Sequence, residues 1–422
     1  MTNVVSPRNF VRHVRVLPLF AIAVVVLTAG CTSPDTVAPT RAALPTTAPQ
    51  TIPTASPSPS AQLSTPPPLQ APKLVDAGIG PDEGFGAVAA ASSRYVIRPN
   101  PADLHGVEVV KRAGGQVILR HRPIDEGRFE TTGVAIAGDR AVIADEDVTD
   151  DDSMALGSRK RPAVVYVVDL STGHQSPLSA LHSAPHPSPY AAAQDVTGPG
   201  NLWYYSAQTA GHYANCIAAL NLHTLQGKLI YCAPGTGQVF FIKTGDRGAA
   251  WMTLPGGSLS LCRTAAGIDA GTTYAIASGD CDVFDVARLG PWRLWSDQGH
   301  TDMQPYIPLH AANGATTAEL GDMRPQSLVV CGGYAYWDVQ SRVPDSIDNL
   351  VRWKPGWSRA QTVLVPNAIK GSKTEDELIW PEGCNDDILT ITVVRYYDAS
   401  ATSTLQILTI TPDTKPTGTS TP

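Results

Sequence analysis

The sequence lacks the short motifs that usually identify catalytic nucleophiles, redox cysteines and phosphate-binding loops. It contains no Gly-x-Ser-x-Gly, Ser-x-x-Lys or His-Glu-x-x-His motif. It also contains no Cys-x-x-Cys pair, which argues against a redox motif, a haem attachment site and a zinc knuckle. No glycine-rich loop follows a strand pattern and opens a helix, so nothing indicates nucleotide binding. We therefore predict no metal site, no cofactor and no catalytic residue from local motifs.

Positive charge and long apolar runs are also scarce. The 422 residues carry a formal net charge of −7, and without residues 1–30, which hold three Arg and no acidic residue, the charge is −10. Nucleic-acid binding depends on clustered Lys and Arg, so we predict no nucleic-acid partner. No apolar run reaches the roughly 20 residues that a membrane-spanning helix needs.

The first 30 residues have the three parts of a secretory signal. Arg8, Arg12 and Arg15 supply a positive segment, and an apolar run of about a dozen residues follows from Val16 to Leu27. The run ends in the small residues of positions 28–30. We therefore expect residues 1–30 to direct export and to be removed.

The stretch Leu27-Thr28-Ala29-Gly30-Cys31 resembles the lipobox of bacterial lipoproteins. It differs from the family pattern at Thr28, where Leu is commonest. The resemblance implies that Cys31 becomes the lipidated first residue and holds the chain on the extracytoplasmic face of a membrane. The alternative is an ordinary cleaved signal with an incidental Cys.

Composition divides the rest of the chain into three parts. Residues 31–72 are rich in Pro, Thr and Ser and poor in charge and large apolar residues, which predicts a disordered, extended tether. Residues 73–412 form one globular region without long helical patterns. Residues 413–422 resemble the tether in composition and are predicted to be disordered.

The globular region reads as repeated pairs of hairpins. Short Val-, Ile-, Tyr- and Trp-rich runs are separated by Gly, Asp, Asn and Pro turns, and the unit recurs about every 40 to 60 residues. Here the chain resembles bacterial β-propellers, whose outer hairpin often contains Asp-x-x-Thr-Gly, as in Asp169–Gly173. The resemblance implies an all-β propeller of four-stranded blades. It identifies an architecture and no particular family.

The number of blades depends on residues 254–325. We interpret Ser258–Thr264 with Thr272–Ala277 as the outer hairpin of one blade. The next blade then pairs Asp282–Val286 with Trp292–Trp295, followed by a hairpin of residues 306–309 and 316–320. This interpretation gives seven blades, and six blades with a long insertion is the alternative.

Apart from Cys31, the chain has six cysteines, and an even number in an exported protein suggests three disulfides. Cys216 opens an outer strand and Cys232 ends its partner, so we predict that they pair. Cys262 and Cys281 occupy comparable positions one blade later and are also paired. Cys331 and Cys384 lie just before the inner-hairpin turns of successive blades, which favours a disulfide between adjacent blades.

Two other groups of residues are candidates for metal binding, and both favour a simpler interpretation. The acidic run of residues 145–152 lacks the Gly and the closing Glu of an EF-hand loop, so we interpret it as a solvated loop. His182 and His186 have the spacing of a helical metal site, but Pro185 and Pro187 exclude a helix there.

The starts of the innermost strands carry polar groups, which in a propeller would surround the central channel. Such groups converging on an apolar funnel suit a small-molecule or glycan site; the alternative is that they satisfy strand ends or bind channel water. The candidate channel or ligand residues are Glu130, Gln194, Asp195, Gln238, Arg324, Gln326, Trp380 and Glu382.

These observations favour a membrane-anchored extracytoplasmic lipoprotein whose propeller binds a protein or a cell-envelope glycan without catalysis. One alternative is a propeller enzyme, either a polysaccharide lyase or a hydrolase, that uses acidic residues near the channel. Another is a scaffold for an envelope complex. Fold alone does not choose among them, because propellers host all three.

Overall fold

The structure is a computed structural model that describes the central part of the chain with several gaps. The described residues are 64–67, 74–76, 89–125, 128–147, 163–180, 188–189, 196–198, 201–209, 212–235, 237–245, 248–254, 264–269, 272–277, 283–297, 306–339, 349–364, 376–385, 388–396 and 404–410.

Antiparallel strands dominate these ranges and form seven sheets, of which one has five strands and the others have four. The all-β propeller fold with seven blades, predicted from the hairpin repeat, is confirmed. Blade one contains β2 (Ala90–Ala91), β3 (Tyr95–Asn100), β4 (Asp103–Lys111) and β5 (Val117–His121). Blade two contains β6 (Phe129–Ala137), β7 (Arg140–Asp147), β8 (Val164–Asp169) and β9 (His174–Pro177), followed by a 3₁₀ turn at Leu178–Ala180.

The middle blades follow the same order from the inside outwards. Blade three contains β10 (Ser188–Pro189), β11 (Val196–Gly198), β12 (Leu202–Thr209), β13 (His212–Asn221) and β14 (Gln226–Cys232), with both β10 and β11 pairing with β12. Blade four contains β15 (Gln238–Thr244), β16 (Gly248–Leu254), β17 (Thr264–Asp269) and β18 (Thr272–Ala277). Blade five contains β19 (Val283–Leu289), β20 (Trp292–Asp297), β21 (Ile307–Asn313) and β22 (Thr316–Met323).

The last two blades close the ring. Blade six contains β23 (Val329–Cys331), β24 (Tyr334–Val339), β25 (Asn349–Trp353) and β26 (Gln361–Leu364). Blade seven contains β27 (Asp376–Asn385), β28 (Ile388–Tyr396) and β29 (Thr404–Ile410), and its outermost strand is β1 (Leu74–Asp76) from the other end of the described chain. Leu74 lies opposite Ile410, so the two ends of the propeller are joined within one sheet.

Turn chemistry explains why consecutive strands form hairpins. The β4–β5 connection contains Gly114 and Gly115, with φ angles of 84° and 66°. This left-handed conformation strains residues that carry a Cβ, and glycine adopts it at little cost. Alternating apolar residues on both sides of such a turn then place one row of side chains against each neighbouring blade.

Large side chains fill the spaces between blades. Tyr205, Trp251 and Trp337 lie on the second strands of blades three, four and six and are fully buried. Trp292 of blade five meets Trp353 of blade six edge-on, with ring centroids 5.2 Å apart. Burying each such side chain stabilises the fold by roughly 2–3 kcal/mol, so the contacts between blades are the main core of the molecule.

The ring closes where blade seven meets blade one. The main-chain amide of Ala91 donates a 3.0 Å hydrogen bond to the Thr390 hydroxyl, and Val96 packs against Ile388. These contacts join strands about 300 residues apart in sequence, as the hydrogen bond itself spans 299 positions. Closure covers the apolar faces that the first and last sheets of an open row would expose to water.

Two disulfides occur among the described residues, and both were predicted. Cys216 and Cys232 face each other across β13 and β14. Cys331 and Cys384 link β23 of blade six to β27 of blade seven. The third predicted pair, Cys262 with Cys281, lies outside the described residues, as does Cys31.

Three expectations differ from the structure. The third strand of blade four is Thr264–Asp269 and not Ser258–Thr264, because Asp269 pairs directly with Thr272 across a tight connection. Within the acidic run, Asp145 and Asp147 are buried at the end of β7, so the solvated-loop interpretation is wrong for them. Ser64 to Pro67, within the predicted tether, hydrogen-bond to blade six.

Neighbouring basic side chains explain the burial of the two aspartates. Asp145 and Asp147 are buried because each has a basic partner, His121 and Arg128 respectively. A paired carboxylate can be removed from water at much lower cost than an isolated one. The remaining residues of the acidic run, and also His182 and His186, lie outside the described residues.

Candidate functional site

The innermost strands are irregular where they line the central channel. Pairing shifts by one residue at Thr132 in β6, at Phe284 in β19 and at Glu382 in β27. Strand β15 has a similar shift between Phe240 and Lys243. A β-bulge bends its strand and turns a side chain out of the regular alternation, and bulges are common beside binding sites. In β27 the bulged residue, which has no pairing partner on β28, is the acid Glu382.

Lys243 connects blade four with blade six. Its Nζ donates a 2.8 Å hydrogen bond to the main-chain carbonyl oxygen of Gln326, just ahead of β23. Gln326 has a φ angle of 69°, which is unusual for a residue with a Cβ. The strain is tolerated because its carbonyl receives the ammonium group and its amide donates to the carboxylate of Asp285.

Asp285 is buried at the inner strand of blade five. Its Oδ2 accepts a 3.2 Å hydrogen bond from the amide of Leu328, and its Oδ1 accepts a 3.0 Å bond from the amide of Val286. Burial raises the pKa of this carboxyl, while the charge of Lys243 and the amide hydrogen bonds lower it. Asp285 therefore links blade five to blade six through its hydrogen bond with the Leu328 amide, and its pKa is lowered by the charge of Lys243.

Glu382 is the acid at the bulge of β27. Burial raises the pKa of this carboxyl from 4.5 to about 7, and Thr392 and the charge of Lys243 lower it by smaller amounts. Part of Glu382 remains accessible although protein surrounds the carboxyl, as expected for a side chain lining an internal channel.

Lys243, Asp285, Gln326 and Glu382 together form what we call the channel cluster. One ammonium group lowers the pKa values of two carboxyls whose pKa values burial raises, and the residues come from four consecutive blades. Near neutral pH, Glu382 exists as both acid and carboxylate, so it can either donate or accept a hydrogen bond. Such a cluster can recognise polar groups of a ligand, and its acid has the pKa range of a general acid or base.

A second polar group lies on the face where the innermost strands begin, which we call the strand-start face. The Nε of Arg324 lies 2.7 Å from Oδ2 of buried Asp338, and its Nη2 donates a 2.8 Å hydrogen bond to the Tyr306 hydroxyl. On the same face, Nδ1 of His105 lies 3.2 Å from Oε1 of Glu130. The Arg324–Asp338 and His105–Glu130 pairs therefore lie near the starts of the strands that line the channel.

The structure brings two of the predicted channel residues together, since Gln326 and Glu382 both belong to the channel cluster. Arg324 and Glu130 lie on the strand-start face, each with an ionic partner. Gln238 begins β15 and pairs through its main chain with Leu254. Trp380 lies in β27 opposite Thr392, but its side chain is outside the described set. Gln194 and Asp195 also lie outside the described residues.

Lys243 and Asp285 were missed by sequence reasoning. Both stand within apolar runs, Val239–Thr244 and Val283–Leu289, that form innermost strands. A charged residue inside a strand that is buried on both faces needs a partner, and this was the available signal. The predicted channel residues were chosen at the starts of the innermost strands, so they do not include Lys243 and Asp285.

Comparisons with known proteins add no functional assignment. No protein-family model matches the chain, and no curated protein matches it. Three of the matching solved structures are an oligogalacturonate lyase from Vibrio parahaemolyticus, TolB from Acinetobacter baumannii and the β-propeller domain of the Trilobed protease from Pyrococcus furiosus.

These matches are distant in sequence. The lyase is 11% identical, with a TM-score of 0.40, over 78% of this chain and 77% of its own. TolB is 13% identical, with a TM-score of 0.36, over 67% and 64% of the two chains. The protease domain is 8% identical, with a TM-score of 0.41, over 66% and 81%. At these values the likeness concerns the propeller fold, and no activity transfers from it.

Two further observations concern only the part of the chain that the structure describes. No helix there is long and apolar enough to cross a membrane. No group of three or more His, Cys, Asp or Glu side chains there is arranged to hold a metal ion.

Proposed function

We propose that the protein is a membrane-anchored extracytoplasmic lipoprotein whose β-propeller binds a protein or a cell-envelope glycan at the channel cluster. The observation that carries the binding half is the convergence of Lys243, Asp285 and Glu382 from three different blades. A charged group inside a packed protein is costly unless it is paired or used, and here three share one site.

The hydrogen-bonding capacity of the channel cluster suits a polar, hydroxyl-bearing or amide-bearing ligand. Lys243 has three N–H donors, of which one meets the Gln326 carbonyl. Glu382 offers a donor when protonated and two acceptor oxygens when ionised. A ligand with both donors and acceptors, such as a sugar or a peptide backbone, would find partners in either state.

The binding half is tested by measuring the affinity of purified protein for fractionated envelope glycans and for proteins captured from envelope extract. For a true ligand, we expect Lys243→Met and Glu382→Gln each to weaken binding at least 10-fold, because a hydrogen bond to a charged group contributes about 1.5–3 kcal/mol and about 1.4 kcal/mol corresponds to a tenfold change. Arg94→Ala is the matched control, since Arg94 pairs with Asp139 at exposed turns between blades one and two.

The outcomes separate binding from folding. Each variant is first shown to melt as a single transition, so that loss of binding does not reflect loss of the propeller. Equal affinity of wild type, Lys243→Met and Glu382→Gln for every captured ligand would refute the channel cluster as the binding site.

The anchoring half rests on the Leu27–Cys31 stretch and the signal-like residues before it. Cys31→Ser removes the thiol that would carry the lipid, so we expect the variant to be released from the membrane into the medium. Cys281→Ser is a control that leaves Cys31 in place. Unchanged membrane retention of Cys31→Ser would refute lipidation.

One observation favours a second candidate function, a polysaccharide lyase or hydrolase. The Glu382 carboxyl has a pKa of about 7, which is the range that suits a general acid or base at neutral pH. The enzyme hypothesis predicts that Glu382→Gln abolishes turnover of an envelope polysaccharide while the polysaccharide still binds. Binding without cleavage by the wild type would leave the non-catalytic function.

A further inference from the structure

A side chain links two non-adjacent blades at the end of the channel where the innermost strands turn back, which we call the turn face. Asn385 is the last residue of β27 and lies opposite Ile388 across the turn. Its Oδ1 accepts a 3.2 Å hydrogen bond from the main-chain amide of Ile136, near the end of β6. Blade one lies between blades seven and two, so this bond spans a whole blade at the turn face.

The Ile136 amide points into the channel. In the described sheets, β6 is an innermost strand and pairs only with β7, so an amide that bonds to another blade leaves the sheet on the channel side. Ile136 and Asn385 are nevertheless 1% and 7% exposed. An amide that faced a water-filled channel would be satisfied by water. The burial of this pair indicates that protein fills the channel at this level.

A disulfide joins the neighbouring blades at the same level. Cys384 directly precedes Asn385 and is bonded to Cys331, the last residue of β23. Blades six and seven are therefore joined covalently at the turn face, where the Asn385 side chain joins blades seven and two. We call Ile136, Cys331, Cys384 and Asn385 the floor.

Space opens directly beside the floor. Gly383 lies between Cys384 and Glu382, the bulged acid of the channel cluster. In the part of the chain that the structure describes, no atom beyond its chain neighbours lies within 4 Å of where a Cβ on Gly383 would be. Glu382 and Gly383 are both partly exposed. Glu382 lies three residues from Asn385, or about 10 Å along the strand, so the channel cluster faces this space a short way from the floor.

A second link across one blade limits the width of the space. Lys243 of blade four reaches the Gln326 carbonyl of blade six past the inner strand of blade five, which carries Asp285. Lys243 is the next-to-last residue of β15, whereas Gln326 precedes β23. The Lys243 side chain therefore extends from the turn-face end of its strand toward the strand-start face.

From this arrangement we propose that the channel is a blind chamber, closed by the floor at the turn face and entered from the strand-start face, and that it receives the end of a neutral glycan chain. The proposal deepens the binding half of the proposed function and rests on it. A polymer can pass through a channel that is open at both ends, but a narrow chamber with one closed end accepts only the end of a chain.

The charges of the channel cluster favour a neutral glycan end over the terminus of a polypeptide. One cation, Lys243, stands with two acids, and Glu382 is present in both protonation states near neutral pH. Neither sign of charge dominates, whereas a polypeptide terminus carries a full charge that would lose its water on entry. Sugar hydroxyls donate and accept hydrogen bonds without carrying a charge.

The floor is tested without any ligand, by hydrogen exchange in the Cys31→Ser protein. The Ile136 amide should be protected although it lies on the channel edge of an innermost strand, and Asn385→Ala should speed its exchange about 10-fold or more because its acceptor is lost. Asn313→Ala, at an exposed turn of blade five, is the control and should leave Ile136 unchanged. An unprotected Ile136 amide with Asn385 in place, or unchanged exchange in Asn385→Ala, would overturn the floor.

The chain end is tested with the neutral polysaccharide fraction of the envelope, used intact and after partial acid hydrolysis to shorter pieces. Calorimetry measures how much protein a given mass of polysaccharide binds at saturation. We expect this amount to rise by the same factor as the number of chain ends. Binding along the length of the chain would instead give equal or lower capacity after hydrolysis, and that result would overturn the proposal.

The chamber is tested by filling it. Gly383→Leu places a side chain in the space beside Glu382, where no atom of the described residues stands in its way, so the melting temperature should stay near wild type. Affinity for the hydrolysed polysaccharide should fall about 10-fold or more. Gly383→Ala is the matched control, since it adds one methyl group and should weaken binding much less. Wild-type affinity in Gly383→Leu would overturn the chamber, and Gly383→Val replaces it if the Leu variant does not melt as a single transition.

The possible failures are distinguishable. If the polysaccharide binds at neither length, the binding of a glycan fails and the chain-end proposal fails with it, while the exchange at Ile136 still decides whether the floor is closed. Binding of linear peptides in place of the polysaccharide would overturn the assignment to a glycan.

Discussion

Nζ of Lys243 lies 2.8 Å from the carbonyl oxygen of Gln326, and this hydrogen bond links the inner strand of blade four to the start of blade six. The same ammonium group lowers the pKa values of Asp285 and Glu382, which come from blades five and seven. One cation thus acts on both acids of a site built by four blades and opposes the rise in pKa that burial causes. The predictions below begin with this site and extend to the contacts between blades.

Stability should depend on pH through Glu382. Its pKa is about 7 in the folded protein and near 4.5 in the unfolded chain, so the folded state binds this proton more tightly. The free energy of unfolding therefore falls as pH rises from about 4.5 to 7, by up to ~3 kcal/mol, and is at its higher value below that window. Asp285, whose pKa is also raised, contributes with the same sign.

Urea unfolding at pH 5, 6, 7 and 8 measures this dependence. Glu382→Gln should be more stable than wild type at pH 8 and should have a smaller slope, with Asp285 responsible for the remainder. Glu319→Gln, at an exposed position of β22, is the control and should follow wild type. A wild-type stability that rises between pH 5 and 7 would contradict the prediction.

Replacing Lys243 should shift the titration of both acids. Its positive charge favours their ionised forms, so Lys243→Met should raise the pKa values of Glu382 and Asp285. The substitution also leaves the Gln326 carbonyl without its ammonium donor, which we expect to lower stability by about 1–3 kcal/mol. Titration of the carboxyl signals by NMR or infrared spectroscopy gives the direct measurement. Lys243→Arg keeps the charge and should leave the titration close to wild type.

The contact between blades one and two depends on a buried, hydrogen-bonded His–Asp pair. Nε2 of His121 lies 3.0 Å from Oδ1 of Asp145, whose same oxygen accepts a 2.9 Å hydrogen bond from Thr131. Asp145→Ala or His121→Ala should cost about 1–3 kcal/mol, because each removes one partner of a buried polar group. In contrast, breaking the exposed Arg94–Asp139 pair should cost less than about 1 kcal/mol.

Chemical unfolding of the single variants and of the double variant His121→Ala/Asp145→Ala measures the coupling between these two residues. A cost in the single variants no larger than that of Arg94→Ala would contradict the prediction. A double variant less destabilised than the sum of the singles is expected, since removing both residues leaves neither polar group buried without the other.

The two disulfides should differ in their contribution to stability. Cys331–Cys384 closes a loop of 53 residues and joins two blades, whereas Cys216–Cys232 closes 16 residues within one hairpin. In the chain-entropy model these loops correspond to about 4 and about 3 kcal/mol. Replacing both cysteines of a pair with Ser and measuring the melting temperature tests the order. A larger loss from the Cys216–Cys232 replacement would contradict it.

Much of the fold was predictable because hairpins are local. Gly114–Gly115 and Gly138-Asp139 mark turns, and the apolar residues beside them alternate with the period of a strand. The stretch Val107–His121, with Gly114–Gly115 at its middle, has this hairpin pattern and contributes to β4 and β5. The pairing of Cys216 with Cys232 follows from the same geometry, since the two residues end strands of one hairpin.

The failures occur where contacts are distant in sequence. The burial of Asp145 could not be read from an acidic run, because its partner His121 belongs to the preceding blade. Composition predicts that Ser64–Pro67 belongs to a free tether, because a Pro-rich segment carries no signal for the carbonyl and amide groups that it contacts on blade six. In both cases the deciding partner was supplied by another part of the ring.

The sequence by itself determined most of the strands, their tight turns, their repetition about every 40 to 60 residues and the position of the lipobox-like Cys31, because each depends on residues close together in the chain. Only the tertiary structure decided that the blades number seven, that Lys243, Asp285 and Glu382 share one site, and that Ser64–Pro67 binds to blade six. The reason is ring closure. It brings inner strands from separate blades around one channel, and the pairing of β1 with β29 sets where the chain joins that ring.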